Sequence, residues 1–244
     1  MKTVRPQTIL LALPAALALG LVAPHARADV LLNNLDQPAR GTTILGTEDP
    51  DMIWAAQSFR TPGRASLNII KILAGNAVNS PDVVIALHAG TDPSGTLLTT
   101  FAIPAFNASG LNIVDLVPDS AVVLKPGTLY WLVVGTATTG SVGWSYAEGN
   151  ASDGPGSFGP YNYSTDSGAT WPASGSDNPY HMQIEATPIA CPADFNGDGF
   201  VTGDDFDAYV LEFVNGNDAA DFNGDSFVTG DDYDAFVEAF EAGC

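Results

Sequence analysis

Residues 194–213 read DFNGDGFVTGDDFDAYVLEF, and residues 221–240 read DFNGDSFVTGDDYDAFVEAF. Each copy places side-chain oxygens at positions 1, 3, 5 and 12 of a short loop, which is the spacing that wraps a loop around a hard cation. These side chains are Asp194, Asn196, Asp198 and Asp205 in the first loop, and Asp221, Asn223, Asp225 and Asp232 in the second.

The preferred cation for such loops is calcium. It takes six to eight oxygen ligands, and loops of this spacing add a backbone carbonyl at position 7 and usually a water at position 9. Position 7 is Phe200 in the first loop and Phe227 in the second. Two copies in the same phase, each followed by the same apolar pattern, argue against a chance match in an acidic tail. The sequence therefore predicts two calcium ions, one in each loop.

A helix is predicted to leave each loop. Apolar residues recur at offsets 0, 3, 4 and 7, which describe one face of a helix. Thr202 with Asp205, and Thr229 with Asp232, have the spacing of an N-cap and its N3 residue, so each helix should begin inside its loop. Two such helices can bury their apolar faces against each other, as neither could alone. The predicted faces are Phe206, Tyr209, Val210 and Phe213, and Tyr233, Phe236, Val237 and Phe240.

The chain before residue 190 has a different pattern. Short apolar or alternating runs are separated by turn signals, and amphipathic helices are missing from the pattern, which favours an antiparallel β-sandwich or jelly roll. Residues 149–179 are rich in Gly, Ser, Asn, Asp and Pro, and we expect long loops there around a short strand near Trp171. The predicted strands cover residues 67–73, 83–87, 97–103, 111–117, 121–124, 129–134, 142–146 and 181–186.

The amino-terminal residues predict export. Lys2 and Arg5 precede an apolar stretch at 9–22 and a small-residue cleavage site at 26–28, as in a signal peptide; a signal anchor is the alternative. We expect a mature protein that is secreted, extracellular or at the cell surface, without a membrane span. The predicted organisation is a signal peptide at 1–28, a β-sandwich domain at 29–187, a linker at 188–193 and a calcium module at 194–244.

Charge excludes some partners. The formal net charge of the whole chain is −20. Loss of residues 1–28 removes three of the eight basic residues and no acidic one, which leaves five against 28 and a net charge of −23. Half of the 28 acidic residues lie in 191–244, where no basic residue occurs. Such a chain lacks the basic surface that nucleic acids and anionic membranes require.

Cys191 and Cys244 are the only cysteines, and they bracket the duplicated region. In an oxidising compartment this arrangement favours a disulfide that joins the two ends of the module. Closing a loop of this length stabilises the folded state by about 4 kcal/mol on the chain-entropy model. Unpaired or intermolecular thiols are the alternative.

The duplicated region resembles the dockerin family, whose paired loop-helix calcium motifs read D-x-N-x-D-G-x-V-x-x-x-D and lack the entering helix of a full EF-hand. The second copy has Ser226 where glycine is expected. That position needs a positive φ, so Ser226 should cost up to about 1 kcal/mol and weaken the second site. The matching residues are Asp194, Asn196, Asp198, Gly199, Val201 and Asp205, then Asp221, Asn223, Asp225, Val228 and Asp232.

The resemblance implies a role in attachment, since dockerins plug a secreted protein into a cohesin-type receptor. Loop positions 10 and 11, often a hydroxyl pair in that family, are here Gly203-Asp204 and Gly230-Asp231. This departure leaves the partner open between a cohesin-like and another surface protein. The Gly-Cys ending is similar to dockerin-like tails on secreted proteins of planctomycete-type bacteria.

The first domain resembles the choice-of-anchor R type of bacterial surface domain. That resemblance implies an exported β module attached to a C-terminal anchor, without an assigned ligand. The segments that carry it are residues 56–59, 87–98, 124–133, 144–146 and 182–186.

We expect no catalytic activity. His88 and His181 are far apart in sequence, and His181, Gln183 and Glu185 are predicted to share a solvated strand face. The alternatives are a polysaccharide-binding module or a glycan-active enzyme carried by the same dockerin, and a purely structural coat component. An enzyme of that kind would use a carboxylate pair from Asp115, Glu148 and Glu185. A binding module would use exposed rings of Trp171, Tyr161 and Tyr163, while Trp131 and Trp144 are predicted to lie in the core.

Overall fold

The computed structural model describes residues 28–46, 53–79, 82–102, 105–137, 139–198 and 200–243. The predicted signal peptide therefore lies outside the described residues, apart from Ala28, as do Gly199 and Cys244. The first part of the chain is mainly β and consists of antiparallel sheets, and two helices follow at the C-terminal end.

Thirteen strands form in the described part of the first region. They are β1 (Asp29–Asn33), β2 (Ala39–Gly46), β3 (Trp54–Arg60), β4 (Ala65–Val78), β5 (Val83–Ala89), β6 (Thr96–Thr100), β7 (Leu111–Leu116), β8 (Val123–Leu124), β9 (Tyr130–Thr136), β10 (Ser141–Ala147), β11 (Ser157–Ser164), β12 (Ala173–Gly175) and β13 (Met182–Pro188).

The strands form two sheets. The first has the order β1-β13-β4-β10-β2, and the second has the order β12-β11-β3-β9-β5-β6. The long strand β4 organises the first sheet, because β13 and β10 pair along one edge of it while β7 and β8 pair along the other. All of these pairings are antiparallel, which hairpins and short connections allow.

Both sheets contribute to one hydrophobic core. Strand β13 shows the pattern clearly, because Met182, Ile184 and Ala186 are buried while the residues between them are half-exposed. Ile70 from β4 and Leu132 from β9 belong to the same buried cluster although they lie in different sheets. Side chains of successive strand residues point to opposite faces, so alternation of this kind gives each sheet one apolar face.

Eight of the strands coincide with predicted ones, and the clearest departure is β11. Residues 149–179 were expected to be mostly loop, but β11 pairs with β3 in that stretch. The register shifts between Phe158 and Tyr161, which admits Pro160, a residue that cannot donate to a ladder. Strand β3 compensates, because Gln57 Nε2 donates to the Gly159 carbonyl at 2.9 Å and Ser58 Oγ donates to the Pro160 carbonyl at 2.6 Å.

The C-terminal region contains two helices, α1 (Gly203–Val214) and α2 (Gly230–Ala242), with a 3-10 turn at Asp218–Ala220 between them. Each helix begins as predicted, with Thr202 and Thr229 as N-caps in complete capping boxes. Within the described residues, no helix is long and apolar enough to cross a bilayer.

The connection between the two regions is anchored to the first sheet. Strand β13 extends to Pro188, the first residue of the predicted linker, and pairs there with Ala65. The next amide, Ile189 N–H, donates to the Arg64 carbonyl at 2.9 Å. The first loop therefore begins a few residues after a hydrogen-bonded strand end.

Candidate metal centre

Three carboxylates of the first loop come together. Asp194, Asp198 and Asp205 each offer an oxygen, and these oxygens lie within 4.8 Å of one another. Asn196 lies beside them, since its Nδ2 donates to Asp198 Oδ2 at 3.1 Å and its Oδ1 accepts the Asp198 amide at 2.8 Å. The structure thus assembles the side chains that the sequence predicted at positions 1, 3, 5 and 12.

Asp205 is fixed by the backbone that it caps. Its Oδ1 accepts the Asn196 amide at 3.0 Å and its Oδ2 accepts the Thr202 amide at 2.8 Å. Burial of Asp205 disfavours its charged form, but these backbone donors outweigh burial and hold the pKa of Asp205 below its ordinary value. A buried, ionised carboxylate at position 12 is suited to a hard cation.

The second loop repeats the same hydrogen bonds around Asp232. Its carboxylate accepts the Thr229 amide at 2.7 Å and the Asn223 amide at 3.1 Å. The Thr229 amide, partly opposed by burial, lowers the pKa of Asp232. The Asp221 carboxylate accepts the amides of Gly224, Asp225 and Ser226 at 2.8 to 3.0 Å.

The two loops differ in how closely their carboxylates approach one another. Within the described residues, only the aspartates of the first loop form a group of acidic ligand atoms close enough for one cation. Asp221, Asp225 and Asp232 do not form such a group there, although their backbone follows the same turns. Gly197 and Gly224, both at position 4, have φ angles of 75° and 76°.

Position 6 has the expected backbone conformation in the second loop. Ser226 has a φ of 74°, in the left-handed region that suits glycine and is costly for other residues. The prediction of a positive φ at this position is therefore confirmed for Ser226. Its counterpart Gly199 lies outside the described residues.

The phenylalanines at position 7 are in different surroundings. Phe227 is 70% exposed. Phe200 is 46% exposed, and its ring lies against Gly127, where an added Cβ would be 3.3 Å from Phe200 Cε1. The first loop therefore contacts the β-sheet region, through a turn that lies far away in sequence.

The two loop-helix units are held together by an aromatic core. The rings of Tyr209 and Phe236 stack with centroids 3.9 Å apart and planes inclined by 9°. Both side chains are buried, and the Tyr209 hydroxyl donates to the Ala220 carbonyl at 3.3 Å. Phe195 and Phe222, at position 2 of each loop, pack edge-on against the Phe236 ring.

The donor set fits calcium. Carboxylates, an amide oxygen and a backbone carbonyl are hard oxygen ligands, and no thiolate or imidazole accompanies them as zinc or copper would favour. In the first loop Asp194, Asn196, Asp198, the Phe200 carbonyl and Asp205 would hold the ion. A bound calcium ion would supply positive charge that relieves repulsion among the three carboxylates. Asp221, Asn223, Asp225, the Phe227 carbonyl and Asp232 would form the second set.

Cys191, three residues before the first loop, is disulfide-bonded. Cys244, the only other cysteine in the sequence, lies outside the described residues. The disulfide places a covalent cross-link at the start of the loop region.

The prediction of a solvated His181 was wrong. Its side chain is buried, Nε2 donates to the Gln37 carbonyl at 3.1 Å, and Nδ1 lies 2.9 Å from Ser145 Oγ. Burial lowers the pKa of His181, partly offset by the Gln37 carbonyl and by Asp36. The neutral imidazole is thus a core group with both nitrogens satisfied, one by the connection between β1 and β2 and the other by β10.

The carboxylates considered for glycoside hydrolysis have other partners or positions. Glu185 forms an ion pair with Lys71 at 2.5 Å and accepts a hydrogen bond from the side-chain Nε2 of Gln183 at 2.6 Å. Lys71 lowers the pKa of Glu185, whereas a general acid needs a raised pKa. Asp115 lies opposite Lys71 on β7, and Glu148 follows β10.

The aromatic side chains considered for sugar binding are less exposed than predicted. Trp131 and Trp144 are fully buried, as predicted for core residues. Trp171, Tyr161 and Tyr163 were expected to be exposed, but all three are half-buried and pack against buried clusters. The rings of Tyr161 and Tyr163 contact the ring of Tyr180 edge-on. Trp171 packs against a buried cluster in the second sheet that includes Trp131.

Comparison of the chain with protein-family profiles found no matching family. A comparison with curated proteins found no similar sequence.

Proposed function

We propose that this chain is an exported, non-catalytic protein whose C-terminal module attaches a β-sandwich domain to a partner at the cell surface or outside the cell. In this proposal residues 29–187 form the β-sandwich or jelly-roll domain, and residues 194–244 form a dockerin-like, EF-hand-related calcium module. The observation that carries the proposal is the convergence of Asp194, Asp198 and Asp205 in a loop whose turns and caps are repeated in a second copy.

Several features support attachment rather than calcium sensing. Each loop has a helix only on its exit side, and aspartate, which is shorter than glutamate, occupies position 12. The two helices stack directly through Tyr209 and Phe236. Within the described residues neither loop is entered by an α-helix that could change its angle to the exiting helix, as in a sensor that opens on calcium binding. In such a module calcium stabilises a single conformation of the binding surface and does not switch it between two conformations.

The two units present different outer surfaces to a partner. Leu211 and Val214 on α1 are 59% and 69% exposed. Glu238 and Glu241 hold the equivalent places on α2. Exposed apolar side chains contribute most to protein contacts when polar residues surround them. We therefore assign the partner contact to α1, with the cohesin-like or other surface protein bound in one orientation.

Calorimetric titration of the full chain with calcium tests the metal site. We expect two ions per chain, with the first loop binding more tightly because its acids already converge. Asp205→Asn should remove one binding event and Asp232→Asn the other. Asp115→Asn, an exposed acid on β7, serves as the matched control and should leave both. Absence of bound calcium, together with helix content that a chelator does not change, would refute the proposal.

Attachment is tested by immobilising the full chain and exposing it to the extracellular fraction of the source organism with calcium or with chelator. The expected partner is captured only with calcium. The double substitution Leu211→Glu and Val214→Glu should abolish capture while calcium binding persists. A captured protein that is retained in chelator, or by this variant, argues against the assigned surface.

A further inference from the structure

A groove lies where the first loop meets the β-sheet region. Its volume is about 770 Å³, which is within the range of small-molecule sites. The turns at 62–64 and 125–126 form one wall, and the first loop, the connecting residues 188–191 and the end of α2 form the remainder.

The wall formed by the sheet region is positively charged. Arg64 and Lys125 line it, and Arg60 is close by because its guanidinium donates to the Gly127 carbonyl. These are three of the five basic residues that follow residue 28. The ion pair found among the described residues joins Lys71 and Glu185 on the first sheet. In that part of the chain, no carboxylate lies within ion-pair distance of Arg64 or Lys125.

Arg64 also has an unused donor. Its Nε is buried and has no hydrogen-bond partner in the described part of the chain. Buried donors in folded proteins nearly always have an acceptor. The Arg64 side chain is thus left with one unsatisfied donor in the described structure.

The opposite wall belongs to the candidate metal centre. Asp194, Asp198, Phe200 and Thr202 line the groove, and they occupy positions 1, 5, 7 and 9 of the first loop. Position 9 is the one at which calcium loops usually use a water ligand. Because Asp194 and Asp198 are among the residues that would hold the ion, a calcium ion in the first loop would be a neighbour of the groove.

Counting charges decides what this groove can hold. Arg64 and Lys125 balance Asp194 and Asp198, the two acids that line the groove. A calcium ion held by the first loop would add two positive charges beside it. A carboxylate is thus attracted more strongly when calcium is bound than when it is absent, because partly buried charges are weakly screened.

The space between the charged groups is apolar. Pro62, Pro126, Ile189 and Val201 line it together with the exposed ring of Phe200. A ligand that fits has a carboxylate at one end and an apolar body.

We propose that this groove binds an apolar carboxylate through the side chains of Arg64 and Lys125, and that a calcium ion held by the first loop would strengthen this binding by its charge. The proposal rests on the proposed calcium site. The carboxylate is supplied either by the free C-terminus of a peptide with an apolar last residue or by a small carboxylic acid.

The test is calorimetric titration of the full chain, with saturating calcium, using two probes. One is 3-phenylpropanoate, and the other is an acetylated Gly-Gly-Phe tripeptide with a free C-terminus. We expect binding of at least one probe, with affinity reduced about tenfold or more by chelator and by amidation of the tripeptide. Tighter binding of the tripeptide assigns the ligand to peptide C-termini, and tighter binding of 3-phenylpropanoate assigns it to small acids.

Matched variants locate the site. Arg64→Gln and Lys125→Gln should each weaken probe binding about tenfold, whereas Arg64→Lys should retain part of it. Arg40→Gln, which removes a cation hydrogen-bonded to Asn178 away from the groove, should change nothing. Asp205→Asn should abolish binding, and Asp232→Asn in the second loop should preserve it.

Calcium binding is measured first on the same samples. A chain that binds no calcium overturns the proposed function and this inference together. A chain that binds calcium but neither probe, or that binds them equally after Arg64→Gln and Lys125→Gln, overturns this inference alone.

Discussion

The two loops differ in sequence at one position, which is Gly199 in the first loop and Ser226 in the second. Its φ of 74° places a Cβ in a region that glycine occupies without strain. The side chain is exposed, so no packing contact offsets this cost. If both loops bind calcium as proposed, the strain at this position and the separated acids of the second loop both predict that this loop is the weaker site.

Ser226→Gly should therefore strengthen the second site. We expect a gain of about 0.5–1 kcal/mol in the stability of the calcium-bound loop, and hence a severalfold higher affinity, with part of the gain offset by greater freedom of the unfolded chain. Ser226→Ala keeps the Cβ and should give no gain. Calcium titration of both variants measures the difference, and a weaker second site in Ser226→Gly would contradict the explanation.

His181 makes stability depend on pH. Because its folded pKa lies below the ordinary value of 6.5, the unfolded chain binds more protons than the folded chain near that pH. The stabilising contribution is complete above about pH 6.5 and is lost as pH falls through that value towards the folded pKa.

Chemical unfolding at several pH values between about 7.5 and 5.5, with calcium held constant, measures this effect. His181→Gln should lower the overall free energy of unfolding, because the packed ring is lost, but should flatten its pH dependence. An unchanged pH dependence in this variant would show that other groups are responsible.

At the scale of elements, the helices α1 and α2 depend on each other. Their contact is concentrated in the stacked rings of Tyr209 and Phe236, with smaller aromatic contacts around them. Neither helix has a basic residue in its last turn, and each has two acids in its first turn. Capping and the helix dipole therefore stabilise the first turn of each helix at its loop. The remaining turns are stabilised by the aromatic contacts between the two helices.

Phe236→Ala should unfold the helical module while leaving the sheets intact. Loss of a buried aromatic side chain costs about 3–5 kcal/mol, which is a large part of the stability of a small module. Tyr209→Phe is the matched control, since it keeps the stack and removes only the hydrogen bond to Ala220, worth about 1 kcal/mol. Hydrogen exchange measures each region, and retained protection in α1 and α2 of Phe236→Ala would contradict this account.

At the scale of the whole molecule, the two regions differ in what stabilises them. The sheets share a large core of buried aliphatic and aromatic side chains. The helical module has a small core and many acidic residues without basic ones. On the proposed calcium sites, we expect electrostatic repulsion within the module to make its folding dependent on bound cations, and the sheets to have no such requirement.

Chelation should therefore destabilise one region selectively. Binding only to the folded module adds about 2.7 kcal/mol at a calcium concentration 100 times the dissociation constant. Removal of calcium should expose the amides of α1 and α2 to hydrogen exchange while β4 and β9 remain protected. Magnesium should not restore protection fully, because it prefers a smaller octahedral site. Equal loss of protection along the whole chain would contradict the division.

Much of the local structure could be predicted from the sequence, because it depends on neighbouring residues. Thr202 and Thr229 cap helices three residues before Asp205 and Asp232, and spacing alone locates these contacts. Alternation likewise identified strands such as β13. The pattern did not reveal β3, whose buried Gln57 and Ser58 look unfavourable until β11 supplies acceptors.

The sequence by itself determined the ligand spacing of the two loops, the helix starts and the β character of the first region, since these follow from short-range geometry. Only the tertiary structure decided that His181 is buried, that the first loop gathers its carboxylates more closely than the second, and that Arg64 and Lys125 line a groove beside it. Arg64 and Lys125 both lie more than sixty residues before the first loop, and His181 reaches Gln37 across 144 residues. Periodicity carries no information about such pairs, because they depend on how the sheets and the connecting strand bring distant turns together.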